Sequence, residues 1–331
     1  MPTVLVIPEY LQNQPSAAVD TLKKAGFEIR FPRDPQLGRG RAEESALIEE
    51  LAGIHATLAS GEYYTPAVIE KAADLRVIAR VGVGYDRVAL ENATDRKIVV
   101  TITPNANHES VAEMAIALML AAAKSIVAND RLVRGGGWNR AVLIPLRSRT
   151  LGIFGLGRIG KSLAIRAKAL GMDVIATEMY PDTSFVAEHG IELVSFDELV
   201  TRADFLSVHC PLTEETKGLF DAKVFAQMKP SAIFINTARG PLVVEADLCE
   251  ALQSKQIAAA GIDVFEQEPP DQDNPLFEQE NVILCPHLAG VDELSTQAMA
   301  SEAAECIARL SQGVWPSDSV VNRELESGWT W

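Results

Sequence analysis

The sequence predicts an α/β protein of two doubly wound parallel-sheet domains with a cleft between them. Three observations carry this expectation. Short β-branched runs alternate with helical patterns nearly throughout, the signature of parallel layers. The alternation halts at Gly135-Gly136-Gly137 and restarts at Thr150. The length, 331 residues, accommodates two domains of ordinary size.

In the first third, strands are predicted at residues 4–7, 28–31, 56–59, 77–80 and 98–100. Helices are predicted between them at 16–25, 42–51, 66–73 and 86–96. One long helix then runs from about residue 109 to 134, and the three glycines stop it. The second series places strands at 151–154, 173–176, 205–208, 232–235, 259–262 and 282–284, with a helix at 158–170 after the first. A last helix at 291–310 is expected to pack back on the first domain. The domains expected are therefore 1–103 plus 291–331, and 104–290, with hinges near Pro104 and Gly290.

Composition narrows the function classes. Apolar residues make up 47% of the chain, ample for packed cores, and 23% are charged. Lys and Arg number 30 against 45 Asp and Glu, a net charge of −15. A field of that sign repels nucleic-acid phosphates and anionic lipid, so neither nucleic acid nor a membrane is expected as a partner. An anionic substrate then needs a local cation. Four cysteines, Cys210, Cys249, Cys285 and Cys306, show no metal or disulfide spacing, which points to a reduced, cytoplasmic chain. No targeting pattern follows Met1-Pro2. The longest apolar run, residues 114–123, is closed by Glu113 and Lys124, well short of the ~20 residues a membrane helix needs.

The sharpest local signal is Gly155-Leu156-Gly157-Arg158-Ile159-Gly160. G-x-G-x-x-G alone is weak, but a buried-strand pattern precedes this one and a helical pattern follows it. Gly155 permits the tight turn, Gly157 lets backbone approach a pyrophosphate, and Gly160 allows close helix–strand packing. The free N–H groups of the helix start favour phosphate. Glu178 ends the next strand, eighteen residues past the last glycine. A carboxylate there accepts from ribose hydroxyls and repels a 2′-phosphate, so NAD is favoured over NADP.

Three further segments sit where strands of the second domain end, the edge at which open α/β sheets bind ligands. They are Asn236-Thr237-Ala238-Arg239-Gly240, the stretch from Gly261 to Pro270, and Cys285-Pro286-His287-Leu288-Ala289-Gly290. Together they bring an Arg, a carboxylate and a His towards one edge.

The order G-L-G-R-I-G, M-K-P at 228–230, N-T-A-R-G, D-V-F-E-x-E-P-P and P-H-x-A-G closely resembles the D-isomer-specific 2-hydroxyacid dehydrogenases. The resemblance extends to Val81-Gly82-Val83-Gly84-Tyr85-Asp86 and residues 104–113, covering about 75–290. It implies a flavodoxin-like substrate domain beside a Rossmann NAD-binding domain. It implies Arg239 as the substrate clamp, His287 as the acid/base and Glu268 as its partner. Chemistry supports each role. Arg is bidentate and permanently charged, which suits holding a carboxylate and polarising a ketone. Imidazole titrates near working pH, and a neighbouring carboxylate orients it and favours its protonated form.

The resemblance further implies Asp263 near the nicotinamide and a cofactor groove lined by Arg158, Ile159, His209, Cys210, Pro211, Thr216, Thr237, Ala238 and Gly290. The Val83-Gly84 backbone would meet the substrate carboxylate, and the long helix would mediate a homodimer. Bland readings compete at some positions. Without the resemblance, Glu268 lies among Glu266, Asp271 and Asp273 and reads as a solvated acidic loop. His55, His108, His189 and His209 rival His287, but only His287 has the family context; His189, before Gly190, reads as a helix C-terminal residue. Cys210 has nothing nearby to activate it as a nucleophile.

Two departures matter. Asn105 stands where the family commonly has Gly, which affects loop shape. Glu62 stands in the loop after the third strand, where phosphoglycerate-type members often carry Arg, and would disfavour a phosphorylated substrate if it faced the cleft. The sequence ends at Trp331, so the extra regulatory domain of many phosphoglycerate dehydrogenases is not expected. A small unphosphorylated 2-hydroxy or 2-keto acid is the expected substrate. The alternatives are a D-3-phosphoglycerate dehydrogenase, a phosphonate-type dehydrogenase and an NAD(H)-binding corepressor-like protein, because fold does not fix function. Formate-type members usually carry Gln where this chain has Glu268, and no metal is expected.

Overall fold

The computed structural model describes residues 1–331, which divide into two compact units: Met1–Asn107 with Val291–Trp331, and His108–Gly290. In the first unit, strands β1 (Thr3–Val6), β2 (Glu28–Arg30), β3 (Ala56–Ala59), β4 (Val77–Arg80) and β5 (Val99–Thr101) form a sheet in the order β2-β1-β3-β4-β5. Every pairing is parallel. Helices α1 (Ala17–Lys24), α2 (Glu44–Glu50), α3 (Pro66–Lys71) and α4 (Leu90–Asp95) make the crossovers. Their starts follow local chemistry: the hydroxyls of Ser16 and Thr65 cap α1 and α3 by accepting from the N–H groups of Val19 and Val68. β1 and β3 are apolar along nearly their whole length because both faces are covered.

In the second unit, α5 (His108–Ala123) and α6 (Ile126–Arg134) precede a seven-stranded sheet. Its strands are β6 (Thr150–Phe154), β7 (Asp173–Thr177), β8 (Glu192–Leu193), β9 (Phe205–Val208), β10 (Ile233–Asn236), β11 (Ala259–Ile262) and β12 (Val282–Leu284). They are ordered β12-β11-β10-β9-β6-β7-β8, all parallel. Helices α7 (Arg158–Ala169), α8 (Thr183–Glu188), α9 (Phe196–Arg202), α10 (Ala222–Gln227) and α11 (Glu245–Gln253) connect them. The closing helix α12 (Glu293–Ser311) buries Ala300, Ala303, Ala304, Ile307 and Leu310 against Val4, Val6 and Leu58 of the first unit.

The long helix predicted from the sequence is two helices, α5 and α6, bent by 54°. The returning chain causes the break. The N–H of Ile144 donates to the Ala123 carbonyl (3.1 Å), Lys124 Nζ holds the Ile144 carbonyl (2.6 Å), and Ser125 takes a left-handed φ of 48°. The carbonyl that would continue the helical ladder is thus already bonded. The helix predicted at 86–96 begins only at Leu90, because residues 85–88 form a turn closed by Val88 N–H on Tyr85 O.

The second sheet centres on Phe220, fully buried and edge-on or tilted against Phe154, Phe196 and Phe234 at centroid distances of 5.2–5.8 Å. Phe220→Ala is expected to lower the stability of this unit by about 3–5 kcal/mol, read as a lower urea midpoint by circular dichroism.

Candidate active site

The turn between β6 and α7 is shaped for an anion. Gly155 has φ 99°, and a Cβ there would lie 2.8 Å from the Cys210 nitrogen and the His209 carbonyl. A Cβ on Gly160 would lie 2.2 Å from Gly155 O. Gly157 faces open space and caps α7 with no side chain, so the first-turn N–H groups, beside Arg158 and Ile159, remain available. The carboxylate of Glu178 braces the turn: Oε2 accepts from Leu156 N–H (2.7 Å) and Oε1 from Tyr180 N–H (3.0 Å).

The facing strand ends supply orphaned polar atoms. His209 follows β9; its Nε2 pairs with Ser207 Oγ at 2.8 Å, while Nδ1 is buried without a partner. Part of the residue is exposed, but Nδ1 is enclosed. Burial pulls the imidazole down to about 3. Burial likewise pushes the Cys210 thiol up to about 12, which leaves it protonated and unreactive at neutral pH. Thr216 Oγ1 donates to Pro211 O (2.8 Å) and accepts from Thr213 N–H (2.8 Å), closing the loop after Cys210. Thr237 Oγ1, at the end of β10 beside Ala238, is also buried and unpaired. A glycine cradle, an uncapped helix start and two orphaned polar atoms on one sheet edge fit a bound dinucleotide.

Three adjacent strand ends carry the Arg, carboxylates and His singled out in the sequence. After β10, Asn236 shapes the turn by accepting from Ala238 N–H (3.0 Å) and donating to Arg239 O (2.8 Å). Arg239 is half-buried, with Nη1 on Ala238 O (2.6 Å). A Cβ on Gly240 would fall 1.8 Å from Phe265 O, so only glycine lets this turn lie against the chain leaving β11. After β11, Asp263 is fully buried; its carboxylate accepts from Leu288 N–H and Ala289 N–H, each 2.8 Å. Burial raises its proton affinity, and these two donors pull it back. Glu268 places Oε1 on Phe265 N–H (3.1 Å) and Oε2 on His287 Nδ1 (2.7 Å). His287, after β12, has φ 55° and donates its own N–H to Asp263 O (2.8 Å). Ala289 O is held by Ser110 Oγ (2.7 Å), and Gly290 ends the unit.

Val83 and Gly84 belong to the first unit, in the loop after β4. Glu62, whose effect on phosphate hung on its orientation, is turned inward. It is 2% exposed, and both its oxygens accept from Ser60 N–H (3.1 and 3.0 Å). It points into its own unit and cannot act as an exposed anion against phosphate. Asn236, within a quoted motif, and Arg80, outside any, were given no role by the sequence; only hydrogen bonds to main-chain groups reveal what they do.

His209 gives this unit an acid-sensitive component. An unfolded chain protonates this imidazole below about pH 6.5, whereas the folded chain resists until about 3. Its stabilisation is therefore full above pH 6.5 and is lost as pH falls towards 3, at up to about 1.4 kcal/mol per pH unit. In His209→Gln, the decline of urea-derived stability between pH 6.5 and 4.5 should be shallower than in the parent.

The sequence model of the D-isomer specific 2-hydroxyacid dehydrogenase NAD binding domain matches residues 116–289. A glyoxylate reductase of Korarchaeum cryptofilum is 41% identical over 232 residues, 68% of this chain and 70% of that protein. A D-3-phosphoglycerate dehydrogenase of Archaeoglobus fulgidus is 42% identical over 226 residues, 68% of this chain but only 43% of the longer relative. A D-lactate dehydrogenase from Aquifex aeolicus, solved with NAD and lactic acid, superposes with a TM-score of 0.83 at 25% identity, covering 96% of this chain and 98% of that one. The chain belongs to the D-isomer specific 2-hydroxyacid dehydrogenase family.

Proposed function

We propose that this chain interconverts a small D-2-hydroxy acid and its 2-keto acid with NAD, using His287 and Glu268 as the acid–base pair and Arg239 as the substrate clamp. One observation carries the reading: the 2.7 Å contact between His287 Nδ1 and Glu268, on the same sheet edge as the glycine cradle. With Nδ1–H given to the carboxylate, Nε2 is the atom left to exchange a proton with the substrate oxygen. The half-exposed imidazole is open to such a partner. When bound in the glycine cradle, the cofactor would supply the hydride as NADH or accept it as NAD⁺. Arg239 spans the substrate carboxylate and carbonyl with its planar fork and polarises the carbonyl. As charge grows on that oxygen, His287 delivers the Nε2 proton, and Glu268 keeps the resulting neutral tautomer in place.

The named relatives act on glyoxylate and on 3-phosphoglycerate, and a solved neighbour holds lactic acid. With Glu62 turned inward, charge repulsion from that loop no longer argues against phosphate. A small unphosphorylated acid is our reading, with the phosphorylated acid as its rival. NADH consumption with glyoxylate, hydroxypyruvate, pyruvate and 3-phosphohydroxypyruvate tests both. His287→Ala should lower kcat by about 10²–10⁴ with NADH binding unchanged, and Arg239→Met should raise KM for the acid. Turnover undiminished in His287→Ala would refute the assignment.

The working form is proposed to be a homodimer. α6 buries none of its own residues, and Ile126 and Val133 are each 54% exposed, with Trp138 at 79%. An apolar face of this kind marks an association surface. Val133→Asp should shift the sedimentation coefficient from dimer towards monomer.

A further inference from the structure

The loop after β4, residues 81–85, is tied down on its carbonyl side and open on its amide side. Val81 N–H donates to Ala59 O (2.9 Å), Gly82 O accepts from Thr103 N–H (3.0 Å), and Gly84 O accepts from Arg80 Nε (3.1 Å). No protein acceptor takes the N–H groups of Val83, Gly84 or Tyr85. A trans peptide points its C=O and N–H in opposite directions. Fixing the carbonyls of Gly82 and Gly84 therefore turns the N–H groups of Val83 and Tyr85 away from Thr103 and Arg80, leaving both open to an anion.

Arg80 is the side chain that does this. It is half-buried at the end of β4, and Nη1 donates to Ser60 O in the neighbouring loop while Nε holds Gly84 O. Glu62 accepts the N–H of that same Ser60 and supplies the buried counter-charge. Arg87 adds a second tie between the loops, from Nη1 to Gly61 O, with its guanidinium 4.7 Å from the centre of the Tyr63 ring. Both arginines are thus committed to main-chain carbonyls.

We propose that Arg80, balanced by Glu62, is a positioning residue: by holding Gly84 O it fixes the Gly84–Tyr85 peptide plane, and with it the shape of the 83–85 loop that meets the substrate carboxylate. The proposal rests on the reading that this loop receives that carboxylate.

The test pairs steady-state kinetics with hydrogen exchange on the full-length protein. In Arg80→Met, KM for the preferred 2-keto acid should rise tenfold or more, with KM for NADH within twofold and exchange faster at the Val81 and Thr103 amides, the two whose hydrogen bonds hold this loop. Arg80→Lys, which keeps the charge beside Glu62 but reaches one carbonyl, should recover part of the KM and provides a variant that folds if Arg80→Met does not. An unchanged substrate KM in an active Arg80→Lys or Arg80→Met, or exchange unchanged at both Val81 and Thr103, overturns the proposal alone. A parent that turns over no 2-keto acid overturns the underlying activity reading and the proposal with it.

Discussion

A carboxylate sealed from water must find donors nearby, and Asp263 finds them in the backbone four and five residues past the end of β12. Leaving either N–H unpaired, or the carboxylate without both, would cost several kcal/mol in that surrounding. The peptides of residues 287–289 are therefore not free to drift. His287 holds a left-handed backbone that a side-chain-bearing residue adopts at a cost of about 1–2 kcal/mol, and the bonds to Asp263 offset it. The imidazole consequently meets Glu268 with its backbone already fixed.

Topology explains why these groups are neighbours at all. β10, β11 and β12 are adjacent and parallel, so the turns that follow them emerge side by side on one edge. The glycine turn leaves the same edge after β6, next to β9, where the strand order reverses and two loops diverge. Residues spread over more than 130 positions of sequence are gathered by strand pairing alone, with few side-chain contacts needed to assemble them.

Most strands were legible because they are short, predominantly apolar runs, and β3, β4, β9, β11 and β12 lie at the residues predicted. The glycine turn, Arg239, Glu268 and His287 were legible as motifs, and the structure brings the last two into contact. What was hidden depends on distant partners. The break between α5 and α6 is made by Ile144, twenty residues away, and leaves no mark on an apolar run that reads as continuous helix. The inward turn of Glu62 depends on Ser60 and on Arg80 in another strand. The short helices α8–α11 carry too few turns for periodicity, although Ser195 and Glu198 form a capping box that announces α9.

The helix α6 has a thermodynamic consequence. Nine residues that bury nothing within their own chain gain little from tertiary packing, and a helix of that length is marginal in water by itself. Its order must then be borrowed from whatever covers it. Where the cover is a second copy, mass action makes the folding of this segment a function of protein concentration. Dilution would fray the segment from Ser125 onward before either sheet was disturbed, so resistance to protease at residues 126–143 would report how crowded the protein is rather than how well it is folded.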